Sequence, residues 1–404
     1  MRMRKNLACI VMALAAGLAF IANVNAQVNV VKVLEYNNPK LLFKGVSGNP
    51  SVSSQILSDL KNCGWFDVVQ DPKSIDYIVS GQASVNTFTL NVQDSTGKLN
   101  FSVTDSSNGN LPWLCHRAVD KILNKIFNIK GICSTRIAFC VEVGKCIKNI
   151  YICDFDGRNY IRATAAPTLC VEPDWFPNGR SIVYTMYRGA TTEIIQKDII
   201  GDKSRRLAFF PGLNAGGAVS PDGQKLAMIL SQEKKVDLYV KYLNGSGVKM
   251  LTSSTSVEAS PAWSPDSSRI CFVSDVSGSP KLYMISAGGG NYQKLTTLGA
   301  ESVSPNWSND DKIVYSAKTG NYTLAVLNLK GTDFAGLVNI KEGGDWENPA
   351  WAPDNRHVVC SRKQGSLSAI YIVDTWTGKV RPLIPNPRFK MSAPSWSGIQ
   401  TLPY

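Results

Sequence analysis

Between residues 132 and 397 apolar and polar positions recur in one fixed order. An aromatic or β-branched anchor is followed by a polar turn, two apolar runs and a polar strip. The anchors are Trp175, Val219, Trp263, Trp307, Trp351 and Trp396, spaced by 44, 44, 44, 44 and 45 residues. The phrases read VEPDWFPNGRSIVY from Val171, ASPAWSPDSSRICF from Ala259, SVSPNWSNDDKIVY from Ser302 and ENPAWAPDNRHVVC from Glu347. A weaker copy, GGAVSPDGQKLAM, starts at Gly216, and a truncated one, SAPSWS, at Ser392. A period of this length, built from several short strands, marks a β-propeller blade and not a helical solenoid.

Each unit predicts four strands. The anchor closes the first, and a turn such as Pro221-Asp222-Gly223 reverses the chain, with Pro presetting φ and Asp and Gly tolerating the reversal. The second strand is the apolar run Ile182–Tyr184, Leu226–Met228, Ile270–Phe272, Ile313–Tyr315 or Val358–Cys360. The third recurs at Leu238–Val240, Leu282–Met284, Leu324–Val326 and Ile370–Ile372. The outermost, such as Val248–Thr252 or Tyr292–Thr296, reads as a polar edge. One early unit, Arg136–Phe139 followed by Tyr151–Cys153, has no anchor before it, and the final anchor Trp396 has no strands after it. The two fragments complete each other, so the expectation is a mainly β fold. It is a six-bladed propeller closed by the C-terminal strand, with no orphan edge in the ring.

The front of the chain has a different grammar. Val28–Leu34 alternates as a strand, and Pro50–Cys63 is an amphipathic helix with Val52, Ile56, Leu57 and Leu60 on one face. Asp76–Ala83, Phe88–Val92 and Leu99–Thr104 read as strands, and Trp113–Phe127 as a second helix. The order βαβββα predicts a small α+β domain. The expected organisation is a leader at 1–26, an α+β domain at 27–130 and the propeller at 131–404.

Arg2, Arg4 and Lys5 precede the apolar run Leu7–Val24, and small residues precede Gln27, as in a secretory signal cleaved after Ala26. An uncleaved anchor helix is the alternative. The formal charge falls from +12 to +9 without the leader, and no run of five basic residues marks a nucleic-acid stripe. Nine of the ten cysteines follow the leader, with no CxxC pair. Buried free thiols and disulfides both remain open readings. The chain has two histidines, His116 and His357, and no GxSxG, HExxH, P-loop or GxGxxG. A catalytic relay, a histidine-based metal centre and a bound cofactor are therefore not expected. His116 and Asp120, four apart on the second helix, are expected to hydrogen-bond and fix the junction.

Function is then expected at the ring surface. The loops that begin each innermost strand carry Glu172, Glu258, Glu301 and Glu347, with Asp345 nearby, while Arg388 and Lys390 make the sixth loop positive. This acidic mouth predicts a partner loop bearing a cationic group.

The leader, the α+β domain, the PxWSPD-type blades and the junction HRAVDKILNKIFNIKGICSTRIAF from His116 to Phe139 resemble the TolB family, periplasmic components of the Tol-Pal system. YICDFDGRNY from Tyr151 and the terminal APSWSGIQTLPY are similar to that family as well. The resemblance covers essentially the whole chain after residue 26. It implies a non-enzymatic, monomeric periplasmic adaptor supporting envelope integrity and constriction during division, with neither nucleic acid nor metal as partner. It further implies that the peptidoglycan-associated lipoprotein Pal binds at the propeller mouth, through Glu172, Leu213, Asn214, Ala215, Gly216, Glu258, Ala259, Ser260, Glu301, Ser304, Glu347 and Asn348. TolA would engage the N-terminal segment Gln27, Val28, Asn29, Val30, Val31 and Lys32. Leu213 stands where the family often has a histidine, and Lys32 where others carry an aliphatic residue. The competing expectation is a propeller that binds peptidoglycan or another envelope glycan directly, with Trp346 as the one rim aromatic.

Overall fold

The computed structural model describes residues 36–400 apart from 72, 107–108, 233–234, 246 and 331–333. The leader, the strand expected at Val28–Leu34 and the segment Gln27–Lys32 thus lie outside the described residues. The first layer consists of β1 (Lys40–Ser47), α1 (Pro50–Asn62), β2 (Asp67–Val69), β3 (Tyr77–Ala83), β4 (Thr87–Asp94), β5 (Asn100–Ser106) and α2 (Leu111–Phe127). Its sheet runs β2-β1-β3-β4-β5, with β1 parallel to both neighbours. The order is therefore βαββββα, with β1 and β2 added to the expectation. β1 escaped a period-2 reading because its burial does not alternate: the register with β3 shifts between Phe43 and Val46, around Gly45 at φ 89°.

Both helices start on asparagine caps followed by proline. Asn49 Oδ1 accepts the N–H of Ser51 and Val52 at 3.0 and 3.2 Å, and Asn110 Oδ1 that of Trp113 at 3.2 Å. Val52, Ile56 and Leu60 of α1 and Ala118, Val119 and Ile122 of α2 are fully buried in the core that covers the sheet.

Six four-stranded antiparallel sheets follow. Five are continuous in sequence, at 170–208, 214–250, 258–294, 302–337 and 345–382. The sixth is closed by the end of the chain: Met391–Trp396 pairs antiparallel with β6 (Arg136–Gly144), which continues into β7 (Ile147–Asp154) and β8 (Ile161–Arg162). The register places Ser392 opposite Cys140 and Trp396 opposite Ile137, as the two sequence fragments require. Trp396 Nε1 donates to Thr135 Oγ1 at 2.7 Å, and the Arg136 N–H to Ser397 Oγ at 2.8 Å, so the last strand is held at its end as well as along its ladder. All nine described cysteines are free thiols; eight fill core positions and Cys146 is exposed in the β6–β7 turn.

The first layer sits against the sixth and fifth blades and shares one apolar core with them, including Ile137, Phe155, Val359 and Ile372. Two polar clusters stitch this junction. In one, the buried Arg356 guanidinium lies 4.8, 4.7 and 4.8 Å from the rings of Tyr36, Trp65 and Trp376, and its Nη2 donates to Asp374 at 2.6 Å and Asn38 at 2.8 Å. Trp65 Nε1 donates to Asp354 at 3.0 Å, and a Cβ at Gly64 (φ 72°) would fall 2.3 Å from the His357 ring.

The other cluster corrects the expected His116–Asp120 bond. Asp120 turns to the linker and accepts the N–H of Cys133 at 2.9 Å and of Ser134 at 2.7 Å. A Cβ at Gly131 would lie 2.0 Å from its carboxylate, so only glycine fits there. His116 crosses to α1 instead, with Nδ1 2.8 Å from Asp59 and Nε2 3.9 Å from Asp154. Asp156 completes a group of three potential ligands with Asp59 and His116. Arg158, 3.7 Å from Asp156, and Arg136, 3.4 Å from Asp154, balance these carboxylates, so the group is an ion-pair network.

Burial disfavours the His116 imidazolium, yet Asp59 and Asp154 outweigh it and hold the pKa well above the ordinary 6.5. Folding therefore takes up a proton above that value: the stabilisation is complete below pH 6.5 and drains away as pH rises toward the folded pKa. Urea unfolding should show stability falling from pH 6.5 into the alkaline range. His116→Asn should flatten that slope and, on the acid side, cost about 3–5 kcal/mol, as for breaking other buried pairs; an unchanged slope would remove His116 from this role.

Candidate docking site at the propeller mouth

Every innermost strand carries the same irregularity three residues before its anchor. Glu172, Gly216, Ser260, Ser304, Asn348 and Ala393 have φ of 55°, 61°, 49°, 52°, 51° and 48°. At each of these points the pairing with the second strand shifts register. A proline follows in five of the six copies and Gly217 in the other, so the ladder loses a donor where the bulge forms. Left-handed backbone costs a non-glycine residue about 1–2 kcal/mol. Five such residues are held around one ring by the blades behind them.

The ring opens into a central cavity of about 680 Å³, whose wall continues through Asp174, Ala218, Ala262, Asn306, Ala350 and Ser395. Two of the anchors tie neighbouring blades together behind it by indole hydrogen bonds. Trp263 Nε1 donates to Ala218 O at 2.9 Å and Trp175 Nε1 to Ser395 O at 3.2 Å, which ties the first blade to the closing strand. Asp174 brings a carboxyl into this wall. Burial pushes its pKa up to about 6 against the hydroxyl donated by Ser395 at 3.1 Å.

The rim acids do not form an open ring of carboxylates. Glu172 is exposed and accepts from Thr185 Oγ1 and the Gly216 N–H, each at 3.0 Å. Glu258 is only 1% exposed. The hydroxyls of Ser254 and Ser274 donate to it at 3.1 Å each, and burial lifts its pKa to about 7. Glu301 is held below the usual carboxylate range by Lys318, 2.7 Å away, and by the Tyr322 hydroxyl. Glu347 is half-buried on the inner strand of the fifth blade. Periodicity could not reveal this, because each bulge breaks the alternation that would separate inward from outward positions.

Of the remaining expected residues, Ser260, Ser304 and Asn348 stand at the bulge, with Asn348 Nδ2 donating to Ser304 Oγ at 3.2 Å. Ala215 and Ala259 are half-buried beside it. Asn214 is fully buried and shapes the preceding loop, accepting the Phe210 N–H and donating to Phe210 O, both at 2.8 Å. The half-buried Leu213 is fixed by its N–H to Ser231 Oγ at 2.8 Å. Trp346, the expected rim aromatic, is 2% exposed, and its Nε1 donates to Glu342 O at 3.2 Å. Both histidines are buried at the junction, His357 with Nδ1 2.6 Å from Asp354. The bulge ring itself escaped the sequence reading, although the proline two residues before most anchors was its visible trace.

A six-bladed ring with a pre-shaped axial mouth, joined at its opposite side to a small α+β layer, defines the class of protein. The family defined by the TolB β-propeller domain matches residues 123–400, and the chain belongs to that family. Among curated relatives it is 30% identical over 201 residues to the Tol-Pal system protein TolB of Polaromonas naphthalenivorans, covering 43% of this chain and 46% of that one. It is 27% identical over 192 residues to the protein of the same name from Legionella pneumophila, covering 40% and 45%. The matched region thus spans about half the length of these relatives. The crystal structure of TolB from Acinetobacter baumannii superposes with a TM-score of 0.79 at 21% identity, covering 90% of this chain and 97% of that one, a likeness in fold.

If the bulge ring is a strained but necessary feature, glycine should relieve it and a β-branched residue should aggravate it. Ala393→Gly should raise stability by about 0.5–1 kcal/mol, the left-handed cost less the extra freedom of the unfolded chain. Ala393→Val should lower it; equal denaturation midpoints for both variants would contradict the strain.

Proposed function

We propose that this chain is a component of the Tol-Pal system that works without catalysis in the periplasm, by docking protein partners. In this reading the mouth receives Pal and the segment Gln27–Lys32 engages TolA, supporting outer-membrane integrity and constriction at division. The observation that carries the reading is the rigid ring at Glu172, Gly216, Ser260, Ser304, Asn348 and Ala393, which presents backbone and small polar groups around a cavity of about 680 Å³. Membership of the TolB family, and relatives named as Tol-Pal system proteins, support a place in that system. A pre-shaped site spares the ordering cost of association. The glycan alternative loses its main support with the burial of Trp346, since sugars stack on exposed aromatic faces.

Calorimetric titration of the chain from Gln27 onward with the soluble domain of Pal should show one-to-one binding. Ser260→Arg, which places a bulky cation in the mouth, should weaken that binding at least about tenfold, a modest interface effect, with the thermal transition unchanged. Retention on isolated peptidoglycan, with no affinity for Pal, would decide for the glycan.

A further inference from the structure

Around one sector of the mouth the surface is basic, and it extends beyond the positive sixth loop expected from Arg388 and Lys390. Three loops meet there: the turn at 364–367 of the fifth blade, the crossing at 383–390, and the β6–β7 turn at 144–147. Hydrogen bonds bind them together, Ser368 Oγ donating to Met391 O at 2.6 Å and the Glu142 N–H to Lys390 O at 3.0 Å. They expose Lys145, Lys363, Arg388 and Lys390, with Lys148 half-buried behind. The exposed acids nearby are Glu342, next to the Gly343 carbonyl that accepts Arg362 Nε at 2.8 Å, and Glu172 of the first blade. Glu142 and Glu347 are half-buried, and Asp345 lies opposite Lys363 and accepts the Tyr322 N–H at 3.0 Å. The exposed cations of the sector outnumber its exposed acids.

Two large apolar side chains stand among these cations, Leu367 at 72% and Phe389 at 58% exposure. Exposed apolar residues rimmed by charge mark interaction surfaces. Beside them a groove of about 410 Å³ runs between the β6–β7 turn and the first blade, lined by Ile147, Leu169, Val171, Tyr187 and Cys146, with Glu142 and Lys148 as its two charged groups. A bilayer meets convex tips but cannot fill such a concavity, whereas a polypeptide side chain can.

We propose that the sector formed by the fifth and sixth blades docks an acidic, apolar-bearing segment of a protein partner. Its carboxylates would face Lys145, Lys363, Arg388 and Lys390, and one aliphatic or aromatic side chain would enter the groove at Ile147, Leu169 and Tyr187. The inference rests on the reading that the mouth receives a protein. It assigns that protein a negative face, and it concerns association rate first, because exposed charges steer encounter more than they hold the complex.

The test is stopped-flow association of the chain from Gln27 onward with the soluble domain of Pal across a salt series. The comparison is the triple variant Lys363→Glu, Arg388→Glu, Lys390→Glu, with its thermal transition checked against the parent chain. The on-rate should fall steeply with salt for the parent, and the variant should associate about tenfold more slowly at low salt. The matching triple glutamine variant should lie between the two. Equal, salt-independent rates for all three would overturn the sector while leaving Pal as the partner. Absence of any Pal binding by the parent chain would instead overturn the Pal assignment. The sector would then be judged with a short peptide alternating Glu and Leu against its Lys and Leu counterpart: preference for the acidic peptide, lost in the glutamate variant, sustains it. Equal binding of both peptides, or capture only by phosphatidylglycerol vesicles, overturns it.

Discussion

The pairing of Met391–Trp396 with β6 is the constraint on which the rest depends. A propeller blade buries its faces only against its two neighbours, so a ring with one unpaired inner strand would leave two blades half-covered and one ladder open. Here the last strand serves both sides at once. It hydrogen-bonds along Ile137–Val141, and it presents Ser395 to the first blade, where the Trp175 indole and the Asp174 carboxyl meet it. Ala393 on the same strand supplies the sixth left-handed residue of the mouth. Closure and the shape of the docking surface are therefore one structural event.

The opposite side of the ring is committed to the α+β layer. Asp354, Arg356 and Asp374 lie at turns away from the mouth and receive Trp65, Tyr36 and Asn38. Asp154 and Asp156 receive His116 and Gln55. Buried ion pairs are a weak source of stability, because desolvation offsets most of their attraction, but they penalise misplacement strongly. Set within a continuous apolar core, they fix how the layer seats on the fifth and sixth blades. The mouth stays open, with Glu172 and Glu301 paired internally, while Glu258 takes both of its hydroxyl donors on Oε1 and its buried Oε2 has no hydrogen-bond partner among the described residues.

Much of this architecture was legible because the repeat is long, strict and apolar at fixed phase. The anchors, the second strands and the two fragments that complete the sixth blade appear where the spacing put them, and both helices begin on caps that can be read locally. What escaped is tertiary. β1 pairs in parallel with a break at Gly45, so its burial never alternates. His116 and Asp120 share a helix face by spacing, yet each finds a better partner on another element. Rim acids near the anchors looked like one acidic ring, but the bulges turn Glu258 inward. The basic sector joins Lys145 to Lys363 and Lys390, residues remote in sequence that become neighbours only when the ring closes. Sequence distance hides any surface that closure creates.

Native-state hydrogen exchange tests the closing strand most directly. If the last strand completes the ring, the paired amides of Ile137–Val141 and Met391–Trp396 exchange only through global unfolding, with the same opening free energy as the inner-strand ladder of the third blade at Glu258–Trp263. Faster exchange confined to the sixth blade, through a local opening that leaves the third protected, would contradict the account.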